Sequence, residues 1–440
     1  SGTGAETTDL RTRGRLVVYA DDFIPAAVNR ATTNVAGYIN SALLEVESRG
    51  GGAVVLGPGR HAISATVRIP DGCELVGQGR ATTELFLLAG SNVNLIQKKV
   101  GDSGTRAAVR RLALNGNDAN NTSGGLFWEG PSVDRGPSLV MQELLINYCG
   151  PATGSGTNGA VVLEGGQWGE MVDCDITFNQ NAIGLWHKGS DWQITRLYLG
   201  PNGATLNAQN MVVQAGAGNL FSHCYFGGNG GLEQVLLFGA QRNVFTSCLN
   251  DNAWQDGYRF ADFGGIASSY NVFNGGFISH SGGRTDNTYA GVSLEGAATG
   301  NTFTGVNWIG AGHTSSLNNQ AYAIAETGTA GNNQVIGGWT DGLHQTAFKN
   351  LRAAGNSAIR SVHGFNPQGV TTITPGASPY TYTNQDHVPE LVYIRAGTVS
   401  DVSKNSITLA TTTGTQVWLE PGEAVVVTYS SVPTMLKDRK

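Results

Sequence analysis

The sequence predicts an all-β solenoid, in which short parallel strands stack coil upon coil. Three observations support this: a repeated motif, an abundance of glycine and a low content of charge. Glycine accounts for 63 residues and charged residues for only 14% of the chain, a composition that favours many tight turns over long charged helices. The asparagines of the motif are 24, 28, 30 and 32 residues apart, a period typical of solenoid coils. The motif reads Asn219-Leu-Phe221, Asn243-Val-Phe245, Asn271-Val-Phe273, Asn301-Thr-Phe303 and Asn333-Gln-Val335.

The repeat also predicts what fills the interior. The apolar residue of each motif should point inward and stack on its equivalent in the next coil, so that Phe221 and Phe245 become neighbours. Each asparagine should sit at a turn and bond the amides above and below it, as side-chain ladders do in stacked parallel sheets. The same alignment places Cys174, Cys224 and Cys248 in one inward column, where they act as small buried hydrophobic residues.

The elements follow in order along the chain. Residues 34–48 form a helix that Asn34 caps and Gly50 to Gly52 end, and this helix covers the first coil. About nine to eleven coils of two strands each fit between Gly52 and Phe365. After Pro367 the strands are of the antiparallel type, and the last four residues form a solvated tail. The predicted domains are therefore 1–49 (N-terminal segment and capping helix), 50–366 (parallel β-helix) and 367–440 (a β-sandwich-like domain and tail).

Two segments resemble known proteins. Gly50-Gly-Gly-Ala-Val-Val-Leu-Gly-Pro-Gly-Arg-His-Ala-Ile63, followed by Ile69-Pro-Asp-Gly and Leu75-Val-Gly-Gln-Gly79, resembles the opening of the pectate-lyase-like superfamily. Thr371-Thr-Ile-Thr-Pro375, Pro379-Tyr-Thr-Tyr382 and residues 425–434 resemble the small β-domains of phage tail proteins. The resemblance implies a right-handed parallel β-helix over residues 30 to 365, a setting like that of bacteriophage tailspike depolymerases, and assembly as a homotrimer. It carries over no catalytic residue.

Charge, hydrophobic patterning and the absence of certain motifs argue against other classes of function. The net charge of −6 disfavours binding to nucleic acid, which normally requires a basic stripe. No apolar run reaches the roughly 18 residues that a membrane-spanning helix needs, so membrane insertion is not expected. No motif predicts a cofactor, and no CxxC pair or histidine–cysteine cluster predicts a metal site. The expected location is extracellular, on a phage tail or as a secreted protein.

Candidate catalytic residues lie in loops that should leave the same edge of successive coils. Hydrolysis of a glycosidic bond generally uses two carboxyl groups. Asp251 and Asp256 flank Trp254 in one loop, Glu233 lies in the preceding loop and Asp286 in the following one. Aromatic and basic residues nearby suit a polysaccharide substrate, because sugars stack on aromatic rings and bond to charged groups. The predicted substrate-binding residues are Trp254, Tyr258, His280, Arg284, Trp308 and His313.

Competing interpretations remain open at this stage. Asp251 and Asp256 could instead cap loops or pair with Arg259. A second acidic column (Glu129, Glu164, Glu295 and Glu326, with Lys188 and Gln214) is interpreted as a solvated edge. A further acid cluster could form from Asp173, Asp175 and Asp191. The sequence therefore predicts a glycoside hydrolase, with a non-catalytic glycan-binding protein, a polysaccharide lyase and a glycan transferase as alternatives.

Overall fold

The computed structural model describes residues 16–130, 138–153, 158–179, 181–203, 209–228, 232–283, 285, 287–310, 320–344, 347–349 and 356–440. The chain divides into two compact units, Ser1–Trp254 and Gln255–Lys440. Both contain coils of parallel strands, and the second also contains the antiparallel strands that follow them. The predicted fold class, a right-handed parallel β-helix with a capping helix and a small C-terminal antiparallel β domain, is confirmed.

The capping helix spans Ala36–Ser48. The Asn34 side chain accepts hydrogen bonds from the backbone amides of Ala36 and Ser64, at 3.1 and 3.0 Å, and so ties the start of the helix to the first coil. The helix buries one face and packs against the strands Gly52–Val55 and Val67–Ile69. A further strand, Leu16–Tyr19, pairs with Gly52–Val55 and is followed by a 3-10 turn at Ala20–Asp22.

Each coil of the first unit contains three strands, all parallel to their equivalents in the neighbouring coils. The first strands are Leu16–Tyr19, Gly52–Val55, Cys73–Val76, Ala107–Arg110, Leu139–Gln142, Glu170–Val172, Gln193–Thr195, Leu220–Ser222 and Val244–Thr246. The second strands are Gly59–Ile63, Thr83–Leu87, Ala113–Asn115, Leu145–Asn147, Asp175–Thr177, Tyr198–Leu199, Tyr225–Gly227 and Leu249–Asp251. The third strands are Val67–Ile69, Ile96–Lys98, Leu126–Glu129, Gly159–Glu164, Ile183–His187, Met211–Gln214 and Val235–Phe238.

The second unit repeats the three-strand coil. Its first strands are Val272–Asn274, Thr302–Thr304, Gln334–Ile336 and Ala358–Arg360. Its second strands are Phe277–Ser279, Asn307–Ile309 and Trp339–Thr340, and its third strands are Tyr258–Ala261, Ala290–Leu294, Tyr322–Glu326 and Phe348–Lys349.

Two strands per coil was the sequence expectation, and it was wrong. The predicted second-strand segments, such as Leu126–Trp128, are single strands, but the predicted first-strand segments fall on a bend between two short strands. Val172–Ile176, for example, covers the end of Glu170–Val172 and the start of Asp175–Thr177.

Each such bend contains a residue in the left-handed conformation. At Arg111, Glu143 and Arg196 this residue has φ of 57°, 52° and 52°. A single left-handed residue turns the chain sharply. Because arginine and glutamate rarely adopt that conformation, their presence in the sequence does not indicate a bend.

Within each unit, the repeated phenylalanines and asparagines contact their equivalents in the next coil, as the sequence repeat predicts. The rings of Phe221 and Phe245 stack with centroids 4.5 Å apart, and those of Phe273 and Phe303 with centroids 4.8 Å apart. The Asn219 amide nitrogen Nδ2 donates to Asn243 Oδ1 at 2.8 Å. In the second unit Asn271 donates to Asn301, and Asn301 to Asn333, both at 3.0 Å. All five asparagines are completely buried. The predicted phenylalanine stacking and asparagine ladder are therefore confirmed within each unit.

Antiparallel pairing begins after the last parallel strand, Ala358–Arg360. One sheet contains Gly369–Ile373, Thr434–Arg439, Glu390–Arg395 and Thr415–Leu419, and the other contains Tyr380–Thr383, Ala424–Ser431, Thr398–Lys404 and Ile407–Ala410. Buried aliphatic side chains such as Val392, Val402 and Val427 form their common core. The expected solvated tail is mostly the end of the strand Thr434–Arg439, where Lys437 forms an ion pair with the buried Glu390 at 2.8 Å.

Candidate functional site

The segments that join second to third strands leave one side of the coils, because all second strands run parallel and end together. We call this side of the first unit the loop edge; its described residues are 148–153, 158, 178–179, 181–182, 200–203, 209–210, 228, 232–234 and 252–254, with Asp251 at its border. Glu233 and Trp254 lie on it. Asp251 ends the strand Leu249–Asp251 and pairs with Gly227 of the preceding coil. Two of the predicted carboxyl groups are thus at the same edge, in adjacent coils.

Asp251 is half-buried, and the Tyr225 hydroxyl donates a hydrogen bond to its Oδ2 at 3.3 Å. Burial, followed by the negative charge of Asp251, raises the pKa of Tyr225 to about 12. The phenol therefore remains protonated at neutral pH and can act as a donor to this carboxylate. Tyr225 thereby orients one oxygen of Asp251.

Glu233 is only 1% exposed. Its Oε2 accepts a hydrogen bond from Gln209 Nε2 at 2.8 Å, across adjacent coils. The neighbouring side chain, that of Gln234, donates to the carbonyl oxygens of Asp251 and Asn252 at 3.2 and 3.1 Å. Side-chain bonds therefore hold the backbone at 233–234 beside the backbone at 251–252, and this fixes the two acidic residues relative to each other.

The candidates of the second unit have different surroundings. Asp256 accepts a hydrogen bond from the backbone amide of Ala290 at 2.7 Å, as the loop-capping alternative anticipated. Arg259 forms an ion pair with Glu295 at 3.0 Å. His280 directly follows the strand Phe277–Ser279 and is half-buried, in the left-handed conformation. Asp286, Arg284 and His313 lie outside the described residues.

Two predicted substrate-binding residues are core residues. Tyr258 is 1% exposed, with its ring edge-on to Phe273 at 5.0 Å. Trp308 is completely buried and lies 5.8 Å from the ring of Phe303. Trp308 occupies the central, inward position of the strand Asn307–Ile309, whereas the sequence analysis had assigned it to a loop. Both rings pack in the interior of the second unit. Trp254 is half-buried.

The other acidic residues are largely paired. Glu164 and Lys188 form an ion pair at 2.7 Å, as expected, and Glu129 pairs with Lys98 at 3.1 Å. The supposed acid cluster does not form around Asp173 and Asp175. Asp173 pairs with Arg196 at 2.5 Å and Asp175 with Arg80 at 2.7 Å. Among the described residues, no group of three acidic, histidine or cysteine side chains could hold a metal ion.

Sequence reasoning missed a set of aromatic side chains on and beside the loop edge. We call Tyr148, Phe178, Tyr198 and Tyr225 the aromatic strip, since they come from four successive coils of the first unit. Tyr148 and Phe178 directly follow their second strands, whereas Tyr198 and Tyr225 begin theirs. Tyr148, Phe178 and Tyr198 are 43%, 46% and 41% exposed. The rings of Tyr148 and Phe178 stack at 6.1 Å, and those of Tyr198 and Tyr225 at 5.0 Å with an interplanar angle of 7°. The coil that follows the strip contributes Asp251.

A short sequence signal accompanies two members of the strip. Tyr198-Leu-Gly200 and Tyr225-Phe-Gly227 repeat the same spacing of tyrosine and glycine. A Cβ atom at Gly227 would lie 2.3 Å from the Tyr225 ring, and one at Gly200 would lie 2.9 Å from the Tyr198 ring. Glycine therefore lets each ring lean along its strand toward the loop edge. This places the Tyr225 ring over position 227, beside Asp251.

Among the described residues, no helix is both long enough and apolar enough to span a membrane. No protein-family model matches the sequence, and no curated protein is significantly similar to it.

Solved structures are similar in fold. The A-module of mannuronan C-5 epimerase AlgE6 from Azotobacter vinelandii aligns with a TM-score of 0.52 and 15% identity, over 80% of this chain and 100% of that one. The enzymatically active domain of tailspike protein 2 from bacteriophage CBA120 aligns with a TM-score of 0.51 and 11% identity, over 97% and 70%. A mutant of DFA-IIIase from Arthrobacter chlorophenolicus A6 aligns with a TM-score of 0.52 and 13% identity, over 76% and 98%. The expected resemblance in fold to the pectate-lyase-like β-helix proteins, phage tailspikes among them, is confirmed.

Proposed function

We propose that this protein is a glycoside hydrolase that cleaves a bacterial surface or extracellular polysaccharide at the loop edge of its first unit. The observation that carries the proposal is the pair Glu233 and Asp251, which lie in adjacent coils and are held by side-chain hydrogen bonds next to exposed aromatic rings. Similar folds occur in a phage tailspike domain, an epimerase module and DFA-IIIase, proteins whose names point to activity on glycans.

The two carboxyl groups would have different roles in hydrolysis. One protonates the leaving oxygen of the glycosidic bond, and the other either attacks the sugar or activates a water molecule. Asp251 accepts a hydrogen bond from Tyr225, and Glu233 accepts one from Gln209. We assign the two roles to this pair without an order, because both carboxyl groups act as acceptors.

The test is an assay of reducing ends on a panel of bacterial capsular and O-antigen polysaccharides, together with mannuronan and a fructan. The wild-type protein should release reducing ends from at least one of them. Asp251→Asn and Glu233→Gln should each lower kcat about 10²- to 10⁴-fold, the usual contribution of general acid–base catalysis. Asp256→Asn, in the same assay, tests the remaining described carboxylate candidate. Unchanged turnover in both Asp251→Asn and Glu233→Gln would refute the assignment.

A non-catalytic glycan-binding protein is the second candidate. It is favoured by the burial of Glu233, which is only 1% exposed and bonded to Gln209. Polysaccharide binding without any new product on the whole panel would establish this alternative. Products that absorb in the ultraviolet would indicate a lyase, and transferred or cyclised products without new reducing ends would indicate a transferase.

The proposed setting is a homotrimeric tailspike outside the host cell. The tailspike domain covers 97% of this chain in the alignment, including the C-terminal antiparallel sheets, and so supports this setting. Sedimentation equilibrium should give three times the mass of one chain. A monomer at micromolar concentration would contradict the trimer without affecting the proposed chemistry.

A further inference from the structure

We propose that the aromatic strip is an extended binding subsite, along which a glycan chain lies parallel to the axis of the coils and reaches Asp251. The inference deepens the proposed function, because it rests on a glycan as the substrate. It adds the direction in which the glycan lies, the minimum length of the glycan and whether the glycan is neutral or charged.

The distance between the ends of the aromatic strip sets the minimum length of the glycan ligand. Tyr148, Phe178, Tyr198, Tyr225 and Asp251 come from five successive coils, as the register of their second strands shows. Neighbouring parallel strands lie about 4.8 Å apart, so the strip and Asp251 span roughly 19 Å along the axis of the coils. Tyr198 and Tyr225 lie three positions earlier on their strands than Tyr148 and Phe178, so the strip consists of two ring pairs that are offset along the strand direction. A single sugar cannot contact such a length. The ligand that fits is an oligosaccharide or longer, in contact with several rings at once.

Exposure makes these rings available to the ligand. Tyr148, Phe178 and Tyr198 are each more than two-fifths exposed, although large aromatic side chains are normally well covered. Each ring already stacks on a neighbour, so little conformational freedom remains to be lost on binding. Rigid, exposed aromatic rings suit the apolar faces of sugar rings.

The charges beside the strip define the class of glycan. Asp175 is the strand neighbour of Tyr198, and Arg80 neutralises it at 2.7 Å. Asp173 is neutralised by Arg196 at 2.5 Å. The surroundings of the strip are thus balanced in charge. Such a surface favours a neutral polysaccharide over a polyuronate, which would be bound by unpaired cations.

Tyr225 has a second role, as a positioning residue for Asp251. Its ring belongs to the strip, while its hydroxyl donates to Asp251 Oδ2 at 3.3 Å. The sugar that stacks at this end of the strip would therefore lie beside the carboxylate. Tyr225→Phe should leave the affinity for polysaccharide unchanged and lower kcat about tenfold, the cost of one lost hydrogen bond to a charged group. The matched control is Tyr270→Phe, since Tyr270 is 60% exposed, lies in the second unit and belongs neither to the aromatic strip nor to the pair of carboxyl groups.

The strip itself is tested by native gel electrophoresis in gels that contain each polysaccharide of the panel. Binding retards the protein whether or not it cleaves. Tyr148→Ala and Tyr198→Ala should each weaken the affinity about 2- to 10-fold, the range expected for loss of one aromatic contact. The control is Trp168→Ala, because Trp168 is 49% exposed and lies at a different corner of the same coils, between a third and a first strand. Its replacement should change nothing.

The outcomes separate the two proposals. Wild-type affinity in both alanine variants, on a polysaccharide that the protein binds, would overturn the strip and leave the hydrolase proposal standing. Weakened binding in both, with no cleavage by the wild-type protein, would support the strip and refute hydrolysis. Preferential binding of mannuronan over all neutral polysaccharides would overturn the assigned charge class.

Discussion

Replacing Asn301 by alanine should destabilise the second unit by about 3 to 5 kcal/mol. Asn301 is completely buried, and its amide makes four hydrogen bonds to neighbouring coils. Its Oδ1 accepts from the backbone and side-chain nitrogens of Asn271, both at 3.0 Å. Its Nδ2 donates to Ser268 O at 3.2 Å and to Asn333 Oδ1 at 3.0 Å.

The magnitude follows from the groups that would lose a partner. A net contribution of about 1 kcal/mol for each of the four bonds gives roughly 4 kcal/mol.

The assay is urea unfolding, followed by tryptophan fluorescence and far-ultraviolet circular dichroism. The control is Asn274→Ala, three residues after Asn271 on an exposed position of the first strand, which should change stability by less than about 0.5 kcal/mol. A loss of less than 1 kcal/mol in Asn301→Ala would show that the asparagine ladder does not hold the coils together.

Three further results are expected. Gly227→Ala should lower kcat, because the added Cβ would lie 2.3 Å from the Tyr225 ring and displace its hydroxyl from Asp251. The control is Gly37→Ala, at a glycine with open space around its Cβ and no positive φ, and equal activity of both variants would contradict the account. Burial lowers the pKa of His187 from 6.5 to about 4. The stabilising contribution of the neutral His187 is therefore complete above pH 6.5 and is lost as the pH falls toward 4. In His187→Gln the denaturant midpoint should depend less steeply on pH over this range, and an unchanged pH dependence would contradict the reasoning. The buried cysteines should resist alkylation in the folded protein, since burial raises the pKa of Cys149 and Cys174 to about 12; rapid labelling at neutral pH would refute this.

The interior was predictable because identical residues recur in it. Asn219 and Asn243, like Phe221 and Phe245, occupy equivalent positions, and stacking brings equivalent positions together. The division of each coil into three strands was not predictable. The corner residues of the first unit include Arg111, Glu143 and Arg196, whose types rarely adopt the left-handed conformation.

The candidate site was only partly predictable, because the sequence does not fully show which strand positions of successive coils are equivalent. Glu233 and Asp251 were placed at one edge because the coil period is regular there. Trp308 was misplaced because it lies at an inward strand position that sequence reasoning took for a loop. The aromatic strip was missed because its residues lie 30, 20 and 27 positions apart, and only the strand register shows that these unequal steps are successive coils.

The most direct test of the account is a crystal structure of Glu233→Gln with an oligosaccharide of the best-bound polysaccharide. Sugar rings should lie against Tyr148, Phe178 and Tyr198, with a glycosidic bond next to Asp251. An oligosaccharide bound elsewhere on the chain, with the loop edge of the first unit empty, would contradict the account.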